Sequence, residues 1–84
     1  MGQNISEGWD VATAETIRAE RAAAKMSQAE VARGSGLSRI SYIRYETGER
    51  KPNIAQVASI AQAMNIPFIT FVKRIEERAK ENIQ

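Results

Sequence analysis

The sequence predicts an all-α fold, a compact domain of five helices. Three observations lead to it. Apolar residues recur at helical spacing, most cleanly at Ile54, Val57, Ala58, Ala61 and Met64. Capping and stopping residues punctuate the chain at short intervals, with Thr13, Ser27, Ser38 and Asn53 placed to start helices and Gly36, Gly48 and Asn65 to close them. No segment alternates as a strand does and no internal repeat is present, so short helices on short connections make one compact body.

The elements follow in order. Residues 1–10, MGQNISEGWD, lack periodicity and read as a flexible lead-in, with Trp9 as an apolar anchor against the body. The helical domain takes up residues 11–84. Its first helix is rich in Ala, Glu and Arg, strong helix formers, with Thr13 as its cap. Ala14, Ile17, Arg21 and Ala24 share one stripe, and an Arg inside an apolar stripe requires a partner. Ser27 and Glu30 form a capping box that starts a second, short helix with Val31 and Ala32 on its buried side and Gly36 as a left-handed stop. Only Gly36 and Leu37 separate it from a third helix that Ser38 caps and Gly48 ends, so the two cross steeply. Pro52 forbids continuation and Asn53 caps a fourth helix, buried along Ile54, Val57, Ala58, Ala61 and Met64 and closed at Asn65. Pro67 opens the fifth. That helix is apolar over more than one face, at Phe68, Ile69, Phe71, Val72 and Ile75. One face covers the body and the remainder is an exposed patch suited to dimerisation. Beyond it, KRIEERAKENIQ alternates charges and reads as a solvated helical end.

Composition narrows the chemistry. The 84 residues suit one small domain, marginally stable alone, which oligomerisation would help. Cysteine and histidine are both absent, which removes disulfides, the usual zinc sites, Ser-His-Asp triads and Cys-His dyads. No carboxylate cluster stands out as a substitute, so no metal, no cofactor and no enzymatic activity are expected. No run of about 18 apolar residues suggests a membrane span, and no basic-then-apolar leader is visible, so the cytoplasm is the expected compartment. A net charge of +2 is only weakly basic, so the placement of charge matters more than its total.

The third helix poses the central question. At about 100° per residue, Arg39, Ile40, Ile43 and Arg44 share one stripe, while Ser41, Tyr42, Tyr45 and Glu46 share the other. Both mix apolar and polar groups, and hydrophobicity alone does not choose between them.

Residues 27–48, SQAEVARGSGLSRISYIRYETG, resemble the helix-turn-helix of lambda-repressor and Cro-like proteins, the XRE family. The family pattern reads Ser-Gln-x-Glu-Leu-Ala, then Gly, a small apolar residue and Ser, then a variable helix closing in Glu-x-Gly. Ser27, Gln28, Glu30, Ala32, Gly36, Leu37, Ser38, Glu46 and Gly48 match it. The likeness runs from about Thr13 to Val72. Ser35 departs from the pattern, standing where the family usually has Leu. Gly34 near the end of the second helix weakens it by up to about 1 kcal/mol relative to Ala. A short capped helix, a Gly turn and a second capped helix is also the arrangement that lays its second helix in the major groove of DNA.

The resemblance implies a lambda-repressor-like fold and an orientation for the third helix. Tyr42 and Tyr45 point inward, and Glu46 pairs with Arg21, which supplies the partner that each charge needs. The Arg39, Ile40, Ile43 and Arg44 face is then left for double-stranded DNA. Arg39 and Arg44 are the expected base readers, Arg44 equally a phosphate clamp, with Ile40 and Ile43 against thymine methyl groups. Gln28, Ser38, Ser41, Arg50 and Lys51 are the expected phosphate contacts. A homodimer would present two such helices to a near-palindromic operator, roughly 34 Å apart. No sensor domain accompanies the motif, so no small-molecule effector is expected. Stand-alone members of the family serve as phage-type repressors, as controllers of restriction-modification operons and as antitoxins. The competing class is therefore a protein-interaction module that acts mainly by binding a partner protein.

Overall fold

A computed structural model describes residues 4–83 of the chain. Five helices follow one another: α1 (Ile5–Ala23), α2 (Gln28–Gly34), α3 (Arg39–Thr47), α4 (Ile54–Ala63) and α5 (Phe68–Ile83). No strand occurs among the described residues. The all-α, five-helix expectation holds.

The first helix starts earlier than the sequence reading placed it. From Ile5 onward, the lead-in expected over residues 1–10 is helical, with Asn4 as its cap; residues 1–3 lie outside the described range. The cause is a capping box: Asn4 Oδ1 accepts from the Glu7 amide at 2.7 Å, and Glu7 Oε1 accepts from the Asn4 amide at 3.3 Å. Thr13 is therefore not a cap. It sits within the helix, and its hydroxyl donates to the Trp9 carbonyl at 2.8 Å. Trp9 packs against the core, as expected of an anchor.

Three of the helices end in one way. Lys25, Gly36 and Asn65 each adopt the left-handed conformation, with φ of 57°, 72° and 59°. The following residue in each case sends its amide back five positions: Met26 to Arg21, Leu37 to Ala32 and Ile66 to Ala61, at 3.2, 2.9 and 2.9 Å. This is the Schellman arrangement, and Met26, Leu37 and Ile66 supply its apolar contact by packing on the core. Ser35, where the family usually has Leu, turns its hydroxyl back to the carbonyls of Val31 and Ala32. Gly34, costly for the helix on propensity alone, has a packing reason: a Cβ there would lie 3.0 Å from the Cβ of Ala63.

The core gathers Ile17, Val31, Tyr42, Ile60 and Phe71, all fully buried, from all five helices. α5 lies antiparallel to α1. Arg74 reaches Glu20 at 2.6 Å, Arg78 reaches the buried Thr16 hydroxyl at 3.1 Å, and the Asn82 amide approaches the Gly8 carbonyl at 3.5 Å. Two expectations change as a result. Phe71 and Ile75, expected on a dimer surface, are 0% and 4% exposed within the protomer because the length of α1 covers them. Of the same set, Ile69 is exposed and Phe68 and Val72 are half-buried. Ile54, expected on the buried stripe of α4, is 75% exposed, because the first turn of that helix projects beyond the core. Ile60, outside the expected stripe, is fully buried instead.

The left-handed positions carry a test. Lys25 pays the steric cost of φ > 0 that Gly36 avoids, so Lys25→Gly should stabilise the fold by about 1 kcal/mol and Gly36→Ala should destabilise it by a similar amount. Denaturant unfolding of both variants measures this as opposite shifts of the midpoint.

Candidate nucleic-acid interface

The site is built on a buried carboxylate. Glu46, 3% exposed at the end of α3, accepts four side-chain hydrogen bonds from three helices. Arg21 of α1 donates from Nε to Oε1 at 2.6 Å and from Nη2 to Oε2 at 3.3 Å. Gln28, the first residue of α2, donates from Nε2 to Oε2 at 2.7 Å. Tyr42, one turn back in α3, donates its hydroxyl to Oε1 at 2.9 Å. The remaining reach of Arg21 goes to the Met26 carbonyl at 2.9 Å, and Arg18 caps the Glu46 carbonyl at 2.7 Å. Burial alone would push the Glu46 carboxyl up; the hydrogen bonds from Arg21, Gln28 and Tyr42 outweigh it and hold the group below the usual carboxylate range. The hydrogen bond from Arg21 to Glu46 raises the guanidinium pKa in turn, and burial foremost raises that of the Tyr42 phenol.

This network settles which way α3 faces. Tyr42, Tyr45 and Glu46 are buried, while Arg39, Ile40 and Arg44 are exposed and Ile43 is half-buried. The flank of arginines and isoleucines is the outer surface. Ile40, on this face, is 65% exposed. Ser38 caps α3, its hydroxyl accepting from the Ser41 amide at 3.1 Å. Glycine at position 48 closes the helix in the left-handed conformation.

Cationic side chains flank this surface, and two of them have acidic neighbours. Arg44 Nε lies 3.6 Å from Glu49, and Lys51 Nζ lies 3.1 Å from Asp10 on α1. Both pairs are solvent-exposed, where such contacts contribute 0–1 kcal/mol. Arg50 and Lys51 line a cleft of about 310 Å³ between α1 and the turn after α3, with Asp10 and Glu15 on the opposite wall. Gln28, expected to bind phosphate, has its amide nitrogen held by Glu46. The sequence reading missed that bond, the Arg18 cap and the Asp10 contact. Asp10 lies about half the chain away from Lys51 in sequence, and the early start of α1 brings it near. Among the described residues, no group of three or more acidic, histidine or cysteine side chains is arranged to hold a metal ion, and no single helix is long and apolar enough to cross a membrane.

A short capped helix, a glycine turn and a second helix whose outer face carries two arginines and two isoleucines define a helix-turn-helix protein. Comparison with known proteins agrees. A family described as helix-turn-helix matches residues 17–71, most of the chain. The chain belongs to this family, in its XRE, lambda-repressor-like form. Among curated proteins, the cryptic phage CTXphi transcriptional repressor RstR of Vibrio cholerae is 31% identical over 72 residues, which cover 81% of this chain and 65% of that protein. The chain thus spans about two thirds of the length of the relative it matches. No solved structure matches it.

Removing the buried charge tests the network. Glu46→Gln should cost about 3 kcal/mol of stability, since it leaves Arg21 without its partner. The pH dependence has a defined sign. A carboxyl whose pKa is lowered on folding stabilises the protein at neutral pH, and that contribution is lost as pH falls below about 4.5. Acid unfolding of the Glu46→Gln protein should therefore show a shallower slope than wild type in this range, measured by circular dichroism.

Proposed function

We propose that the protein is a sequence-specific DNA-binding transcriptional regulator, acting as a repressor by occupying a near-palindromic operator. The observation that carries this reading is the outward face of α3, Arg39, Ile40, Ile43 and Arg44, anchored from behind by the Glu46 network. Membership of the helix-turn-helix family and likeness to a phage repressor support it. In this reading Arg39, in the first turn of α3, forks onto a guanine edge. Ile40 and Ile43 meet thymine methyl groups. Arg44 reads or clamps at the edge of the half-site. Ser38, Ser41, Arg50 and Lys51 contact phosphates, and Gln28 contributes its backbone amide at the start of α2 while its side chain stays on Glu46. The protein works in the cytoplasm, on the nucleoid, as a homodimer, and needs no cofactor, effector or catalytic step.

Selection of bound sites from random duplexes is the direct test, and a two-fold symmetric consensus is expected. Arg39→Ala should lose roughly 1–3 kcal/mol concentrated at one base pair. Lys51→Ala should weaken binding to all sequences alike and reduce the salt slope by about one unit. Equal, unselective effects from the two changes would refute the assigned roles. Intact specific binding by Arg39→Ala would instead favour a module that acts on a partner protein.

The acidic neighbour of Lys51 predicts the opposite sign. Asp10→Asn removes a charge that competes with phosphate, so affinity for unrelated duplexes should rise by about two- to fivefold, as fits an exposed pair. Fluorescence anisotropy at fixed salt measures it.

A further inference from the structure

The outer face of α3 lacks the hydrogen-bonding groups that read adenine and cytosine. The helix, RISYIRYET, holds no Asn, Gln, Asp, Lys or His. Adenine is read by the paired bonds of an Asn or Gln amide, and the amine of cytosine by a carboxylate. The one carboxylate of α3, Glu46, is buried and accepts from Arg21, Gln28 and Tyr42. Gln28, an amide on the preceding helix, therefore has its nitrogen occupied. The Thr47 hydroxyl donates to the Arg44 carbonyl. Ser41 is half-buried, and a hydroxyl bonds to bases with little discrimination. What α3 offers a base edge is two guanidinium groups, which suit guanine, and two isoleucines. Ile40 and Ile43 stand one helical turn apart on one face, so their Cβ atoms are about 5–6 Å apart. That spans roughly one to two base-pair steps of about 3.4 Å. Each also has an arginine one turn away, Arg44 for Ile40 and Arg39 for Ile43. Both are β-branched and held near one rotamer by the helix, so each presents a fixed apolar surface.

We propose that α3 reads the C5-methyl group of a pyrimidine rather than the base that carries it, so that duplexes containing 5-methylcytosine are ligands of this face alongside those containing thymine. This rests on the operator-binding reading above, which it deepens by naming the chemical group recognised. An isoleucine neither donates nor accepts a hydrogen bond. It responds to a methyl group, and not to the oxygen that marks thymine or the amine that marks cytosine. Thymine is the only unmodified base with a methyl group in the major groove. Methylation of cytosine at C5 places the same group at the same ring position. It thereby converts a C·G pair that an isoleucine does not register into one that it does. Burying one methyl-sized group changes affinity by about fourfold. Because each isoleucine has an arginine beside it, the favoured partner is a methyl-bearing pyrimidine next to a guanine. Binding by this chain then depends on the methylation state of the duplex as well as on its sequence.

The experiment uses the full chain and the consensus duplex that it selects from random sequences. Each thymine of a half-site is replaced in turn by uracil, which removes the methyl group and keeps the pairing. Binding is followed by fluorescence anisotropy at fixed salt. At one or two positions of the half-site, affinity should fall by about fourfold per methyl removed. At those positions the T·A pair is also replaced by C·G and by 5-methylcytosine·G. The methylated pair should bind about fourfold more tightly than the unmethylated one. Ile40→Ala should erase both differences at one position and Ile43→Ala at the other. Circular dichroism establishes that the variants are folded, and truncation at the exposed Ile40 leaves the core untouched. A consensus without thymine, or one indifferent to every uracil, overturns the inference and leaves the operator reading standing. Methyl effects that persist unchanged in both alanine variants also overturn it, because they then arise from the shape of the duplex rather than from contact. A chain that selects no consensus sinks the operator reading and this inference together, so the two failures are distinguishable.

Discussion

One buried carboxylate holds the site together. Glu46 is where α1, α2 and α3 meet, and each contributes a donor to it: Arg21, Gln28 and Tyr42. A charge taken out of water in this way is tolerable only when every lone pair is used. Here no buried side-chain polar atom among the described residues lacks a partner. The consequence is geometric. The network allows one rotation of α3 about its axis, with the tyrosines inward, and one placement of the start of α2 against it. The outer face of α3 is set by what happens on its inner face.

That interaction was legible in the sequence because Arg21, in an apolar stripe, required a partner and the helix-turn-helix resemblance supplied Glu46 as that partner. Arg21 in an apolar stripe and Glu46 beside two tyrosines are each unfavourable alone, and pairing them removes both problems. Helix ends marked by Ser27, Ser38, Gly36, Gly48, Asn53 and Asn65 were legible because capping chemistry is local. What sequence alone did not show depends on contacts between distant segments. The start of α1 was missed because residues 1–10 lack periodicity, while the burial of Gly8 and the approach of the Asn82 amide to its carbonyl are long-range and invisible locally. Ile75 was read as surface because α5 is apolar over more than one face, and periodicity alone does not say which of them α1 covers. Ile54 failed in the opposite direction: periodicity assigns a face but does not say where the covering layer ends.

The family match ends at Ile17 and Phe71, both fully buried. The parts of α1 and α5 outside it pair chiefly with each other, through Thr16 with Arg78 and Gly8 with Asn82. They form an antiparallel brace across the back of the helix-turn-helix. A small domain buries too little surface to be robust. Lengthening its first and last helices along each other adds apolar contact, at Ala12 and Ala79 for example, without altering the α2–α3 unit. The brace also carries Asp10 to the turn beside Lys51, so a structural extension reaches the proposed phosphate-binding edge.

The modest charge of the chain constrains how it discriminates between duplexes. A net charge of +2, with Lys51 and Arg44 each beside an acid, provides little of the sequence-independent attraction on which DNA binding usually rests. Discrimination must then come from base contacts. In the proposed reading, the nine-residue α3 offers two arginines and two isoleucines for base contacts. At about 1–3 kcal/mol for each good bidentate contact, that falls at the low end of the roughly 4–10 kcal/mol separating specific from non-specific binding. Under the operator-binding reading proposed above, a second copy would double the base contacts together with the phosphate contacts, whereas added lysines would raise only the sequence-independent attraction.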